Sequence, residues 1–158
     1  MRFALDTNVL VYGFLRDDPA KHATAANILI RCDFADVVVP AQVLGEFLNV
    51  VRRKQPDRFI DAVSQVENWR TTWTILPTKD DHVVDGAALA RSNKLQLWDA
   101  IIWQVAASAQ ARLLLSEDLQ DHLTIDTMKV LNPFEAGNEA AVEQLFATAD
   151  NDRDGNEK

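Results

Sequence analysis

At 158 residues, with 47% hydrophobic and 25% charged side chains, the chain has the size and balance of one soluble globular domain. Its single cysteine, Cys32, excludes an internal disulfide and fits a reducing compartment. No signal-peptide pattern precedes "RFALDTN" and no apolar run approaches the ~20 residues of a membrane span, so a cytoplasmic location without membrane contact is expected.

The net charge of −8 speaks against a nucleic-acid partner only until it is divided. Residues 135–158 hold seven acids and two bases, a net of −5, which leaves −3 for the other 134 residues. The body of the protein is therefore only mildly acidic, and charge alone does not choose the partner.

In chain order, Phe3 to Leu5 is a short apolar run ended by Asp6-Thr7-Asn8, which predicts a buried strand followed by a helix over 9–15. "DDPAKHATAANILIRC" reads as a second helix started by Asp18 before Pro19. "DVVVP" is a β-branched strand closed by proline. "AQVLGEFLNVVRRK" and "PDRFIDAVSQVENWRTT" are helices, and "WTILP" is a third strand. Two helices follow, "HVVDGAALARSN" and "WDAIIWQVAASAQA", then the strands "RLLLSED" and "MKVLN". Strands alternating with helices predict a mostly parallel sheet covered on both faces. The domain is expected to end near residue 134. Beyond it, residues 135–158 are expected to form a short helix capped by Asn138, with Val142, Leu145 and Phe146 on one side, and then a disordered polar end over 150–158.

Four acids invite a chemical reading, and each has a plain structural one beside it. Asp6 ends the first strand and suits a helix N-cap, although Thr7 or Asn8 would cap equally well. Glu46 lies at the margin of a stripe formed by Val43, Leu44, Phe47, Val50 and Val51, where a long side chain reaches water. Asp99 sits in "QLWDAIIW" with no Lys or Arg within a helical turn, either as a first-turn acid or as a charge whose partner comes from outside. Asp118 follows a strand and caps "LQDHL" on the plain reading; Glu117 is the alternative acid, less favoured because Ser116 and Asp118 share a direction on extended chain.

In open parallel sheets, ligands bind outside the carboxyl ends of the strands, where the strand order reverses. Four carboxylates gathered there resist ionisation unless a divalent cation is bound. An all-oxygen donor set suits Mg²⁺ or Mn²⁺, and His22, His82 and His122 lack ligand spacing for zinc or copper.

Together, "LDTNVL", Glu46 after "VVVPAQVLGEF", "LQLWDAIIWQVA" around Asp99, "LLLSEDLQ" around Asp118 and the closing "VLNPF" resemble the PIN-domain ribonucleases, and within them the VapC-type toxins of bacterial toxin–antitoxin pairs. The resemblance covers Met1 to Phe134. It implies a three-layer α/β/α fold with a five-stranded parallel sheet in the order 3-2-1-4-5. It also implies a metal-dependent endoribonuclease, a homodimer, and neutralisation by a cognate antitoxin.

On that basis Asp6, Glu46, Asp99 and Asp118 are the expected catalytic metal ligands, binding one or two Mg²⁺ or Mn²⁺ ions, with Thr7, Asn8 and Ser116 orienting them. Arg16, Arg52, Arg53 and Lys54 are the expected RNA contacts, although cations at a helix end are also favoured by its dipole. Trp69, Trp73, Trp98 and Trp103 are either base-stacking platforms or core. The rival reading is a non-catalytic PIN-like module that binds RNA or protein. A haloacid-type phosphatase is disfavoured because Asn8 stands where its second aspartate is required.

Overall fold

A computed structural model describes residues 1–154, with side chains through residue 147. The central sheet has six strands in the order β3-β2-β1-β4-β6-β5. β1 (Phe3–Leu5), β2 (Val37–Pro40), β3 (Thr74–Leu76), β4 (Leu113–Leu115) and β6 (Met128–Leu131) are parallel. They are the five expected strands in the expected order. The sixth, β5 (Thr124–Ile125), pairs antiparallel with β6 at the sheet edge. It corrects the five-strand expectation. Two residues and an Asp-Thr turn carry no periodic signal, and the turn is closed by Asp126 at φ 52° rather than by glycine.

β1 is wholly buried, and β2 and most of β4 are buried with it, which explains their unbroken apolar runs. Helices α1 (Thr7–Phe14), α2 (Pro19–Cys32), α3 (Ala41–Lys54), α4 (Phe59–Thr72), α5 (Asp80–Asn93) and α6 (Leu97–Ser108) complete a three-layer α/β arrangement. α2 starts as its sequence dictates: Pro19 is in the first turn and the Asp18 carboxylate accepts the Lys21 N–H at 3.1 Å. In α5 the buried His82 accepts the Lys79 N–H at its Nδ1, so this histidine works as part of the helix start.

The core includes an aromatic chain in which Phe47 meets Phe14 and Trp69 edge-on at 5.4 and 5.1 Å, and Trp69 stacks on Trp73. Two glycines allow close helix packing. A Cβ on Gly13 would fall 2.3 Å from Leu29 Cδ1, so α1 and α2 meet there. On Gly86 it would fall 2.9 Å from Ile101 Cγ1 and 3.1 Å from Ile101 Cα, which sets the approach of α5 to α6.

α7 (Glu139–Asp154) buries Val142, Leu145 and Phe146. Phe146 meets Phe3 edge-on at 5.7 Å, Arg31 lies over its ring, and Arg31 pairs with Glu143 at 2.7 Å. The Asn138 carbonyl accepts the Val142 N–H, while its side-chain amide donates to Asp121 and to the Asn132 carbonyl instead of capping the helix. Of the segment 150–158 expected to be disordered, residues 155–158 lie outside the described residues.

Candidate active site at the sheet switch point

The register of the sheet creates the site. Leu5 of β1 pairs with Leu115 of β4, so the next residues, Asp6 and Ser116, emerge side by side. From this point β1 continues toward β2 and β4 toward β6, on opposite sides, which opens a crevice at the carboxyl edge.

Asp6 does two things at once. It is the N-cap of α1, accepting the Thr7 N–H at 2.7 Å, so the cap falls to neither Thr7 nor Asn8. Its other oxygen accepts from Ser116 Oγ at 2.5 Å and from the Asn8 amide at 3.2 Å. Asp6 and Ser116 are buried. Burial pushes the Asp6 carboxyl up to about 7, with the charges of Asp118 and Asp99 adding to it and the Ser116 and Thr7 hydrogen bonds opposing it.

Asn8 links the strand ends. Its amide also donates to Asp118 at 3.2 Å, and its Oδ1 accepts the Glu117 N–H at 3.4 Å. Ser116 Oγ in turn accepts the Asp118 N–H. Glu117 points elsewhere and pairs with Lys21 at 2.5 Å. Lys21 also donates to the Tyr12 hydroxyl, and the Glu117 bond holds the lysine well above its ordinary range.

Glu46 comes from α3. Its Oε2 accepts from the Thr7 hydroxyl at 2.8 Å and its Oε1 from the Gln42 amide at 2.6 Å. Gln42 was not singled out in the sequence, although its position four residues before Glu46 puts it on the same helix face. Asp99, in the first turn of α6, is half-buried, and burial raises its carboxyl, followed by the charges of Asp118 and Glu46.

All four line one cleft of about 550 Å³ together with Asn8 and Thr7. Arg53 and Lys54 stand on its rim. Arg52 bonds to Asn49, and Arg16 lines a separate groove beside Trp69, away from the acids. Among the described residues, no three His, Cys, Asp or Glu side chains converge closely enough to hold an ion between them directly. The carboxylates are engaged instead by Ser116, Asn8, Thr7 and Gln42. As a donor set, four carboxylates on one cleft, one of them buried among like charges, fit a hard divalent cation such as Mg²⁺ or Mn²⁺.

The tryptophans divide clearly. Trp69, Trp73 and Trp103 are buried, whereas Trp98, beside Asp99, is 64% exposed. Of the two readings open for the tryptophans, the core one therefore holds for three, and Trp98 presents its indole at the surface.

A PIN-domain family model matches residues 3–123. Among curated proteins none matches the sequence. Solved structures share the fold, among them three at a TM-score of 0.60 each. One is the Mycobacterium tuberculosis toxin VapC20, which cleaves the sarcin–ricin loop, at 19% identity over 71% of this chain and 86% of that one. The others are a toxin–antitoxin complex from Klebsiella pneumoniae, at 18% identity, and VapBC2 of Rickettsia felis bound to a promoter DNA fragment, at 15%. Both cover 84% of this chain and 98% of the matched one.

Proposed function

This chain belongs to the PIN-domain family, and from that premise we propose that it is a divalent-metal-dependent endoribonuclease acting as the toxin of a toxin–antitoxin pair. The observation that carries the proposal is the single cleft at the β1–β4 switch point lined by Asp6, Glu46, Asp99 and Asp118. These four residues would hold Mg²⁺ or Mn²⁺, directly or through water. The chemistry such an ion would supply there is a water of lowered pKa and an offset to charge on the phosphodiester.

The protein groups do the rest by position. Ser116 and Asn8 fix the carboxylates of Asp6 and Asp118 at the strand ends, and Thr7 and Gln42 fix Glu46. Arg53 and Lys54 on the rim attract the RNA backbone and make binding salt-dependent. Hydrolysis by water leaves 5′-phosphate and 3′-hydroxyl ends. A cognate antitoxin partner, a homodimeric state and a cytoplasmic location belong to the same proposal. The toxin–antitoxin assemblies among the structural neighbours support the antitoxin part.

A second reading has one observation in its favour. Since no three acids converge directly among the described residues, a module that binds RNA or protein without cutting would look similar. Cleavage of end-labelled RNA by wild type and Asp99→Asn, each with Mg²⁺, Mn²⁺ or EDTA, separates the two. The nuclease reading expects cutting by wild type with metal and none by the variant or in EDTA. Metal-independent cutting, or 2′,3′-cyclic phosphate ends, would contradict it. RNA binding without any cutting would establish the second reading.

A further inference from the structure

Next to the acid cleft lies a second, more open depression of about 770 Å³ that metal-assisted hydrolysis does not use. The two share Glu46, Asn49 and Asp99, so whatever fills the second is adjacent to the reacting centre. Its remaining walls are of another kind: the indole of Trp98 and the side-chain amides of Gln42 and Gln96. Gly45 leaves open space between them, since a Cβ there would meet nothing within 4 Å.

From this we propose that the Trp98 depression is a base-binding subsite, which takes one unpaired nucleobase of the RNA next to the scissile phosphate. The inference rests on the nuclease reading and specifies part of its substrate. Three features carry it. Trp98 is the exposed tryptophan of the four, so an aromatic face is presented where the other three are core. The Gln96 side chain, which makes no hydrogen bond to another described residue, offers both a donor and an acceptor, while the Gln42 nitrogen and the Asn49 oxygen are already engaged. Gln42 connects subsite to centre, because its amide donates to Glu46 Oε1 at 2.6 Å and to the Trp98 carbonyl at 3.3 Å. Single-stranded RNA is recognised by stacking splayed bases on aromatic faces and hydrogen-bonding their edges. A purely apolar protein contact would not call for three amides in the same depression.

The test is the anisotropy of 5′-labelled homo-octaribonucleotides rA8, rC8, rG8 and rU8, with a fully abasic strand as control, bound to the full chain in EDTA. Trp98→Ala is expected to weaken the tightest of the four by about 5- to 150-fold, the range set by loss of one stacked base. The abasic strand is expected to bind wild type and variant alike, a coupling that a merely structural role would not produce. Trp98→Phe, which keeps an aromatic face, is expected to recover affinity to within about fivefold of wild type.

Equal affinities of wild type and Trp98→Ala for all four strands overturn the subsite, while RNA cleavage by wild type in Mn²⁺ would leave the nuclease reading intact. A wild type that neither binds nor cuts RNA overturns both. Conversion from dimer to monomer in Trp98→Ala, read by light scattering, assigns the indole to a contact between copies and also overturns the subsite.

Discussion

At the strand ends, Asp6 and Asp118 sit in a hydrogen-bonded cage made by Ser116 and Asn8, and Asp6 is buried. Across the cleft, Glu46 and Asp99 ride on α3 and α6, where Gln42 and Thr7 hold Glu46 and an exposed indole borders both acids. The difference separates two tasks. The caged half fixes charge at one place against repulsion, because strand register sets it. The helical half is more accessible, with Asp99 half-buried and Trp98 exposed beside it.

The sharpest way to break this comparison is within the cage, between adjacent acids. Asp118→Asn is expected to lower RNA cleavage by about 10³-fold or more, equivalent to roughly 4 kcal/mol of barrier. Glu117→Gln, on the residue turned toward Lys21, is expected to change it by less than about threefold. Single-turnover rates in Mn²⁺ check both. Equal losses would move Glu117 into the cage.

A second test uses the raised carboxyl of Asp6. Its folded value of about 7 lies above the ordinary 3.8, so the folded state binds the proton more tightly. Stability from this group is complete below about pH 4 and is lost as pH rises through 7. The loss is a few kcal/mol, since each tenfold difference in proton affinity between folded and unfolded chain is worth about 1.4 kcal/mol. Urea unfolding in EDTA at pH 5 and pH 8 is expected to show this fall for wild type and a smaller one for Asp6→Asn. Adding Mn²⁺ at pH 8 should restore the wild type more than the variant.

On the helical half, Gly86→Ala forces a Cβ against the Ile101 backbone and shifts α6, which carries Asp99. The clash costs about 1–3 kcal/mol, against about 1 gained in helix propensity, for a net destabilisation of roughly 1 kcal/mol by urea unfolding. A stabilised variant would show that α6 slides freely. The smallest effect belongs to Lys21→Met. Its ion pair with Glu117 is partly exposed, so the expected loss is under about 1 kcal/mol in the same assay.

Much of this architecture was legible because burial leaves continuous apolar runs. Phe3 to Leu5 and Val37 to Val39 are such runs, and Asp18-Pro19 announces α2. The four acids that line one cleft stood out by their contexts: Asp6 and Asp118 after strands, Asp99 in a helix's first turn and Glu46 at the margin of a helix stripe. What escaped depends on contacts between distant residues. Nothing in the sequence near Glu117 points to Lys21, 96 residues away. The cap role of Asp6 was one of the readings open in the sequence, and the local backbone selects it over Thr7 and Asn8. The exposure of Trp98 was within reach. It lies five residues before Trp103, or about 140° around a helix, so the two indoles face different surroundings.

The sheet ends on one side in the two-residue β5 and on the other in the three-residue β3. A peptide that binds by adding a strand draws its affinity from a row of main-chain hydrogen bonds along an open edge. Edges this short offer only a stub of such a row, and they also protect the protein from templating its own fibrils. Tight recognition of the described residues by strand addition is therefore disfavoured, and side chains on the helical surfaces offer the larger area for specific contact.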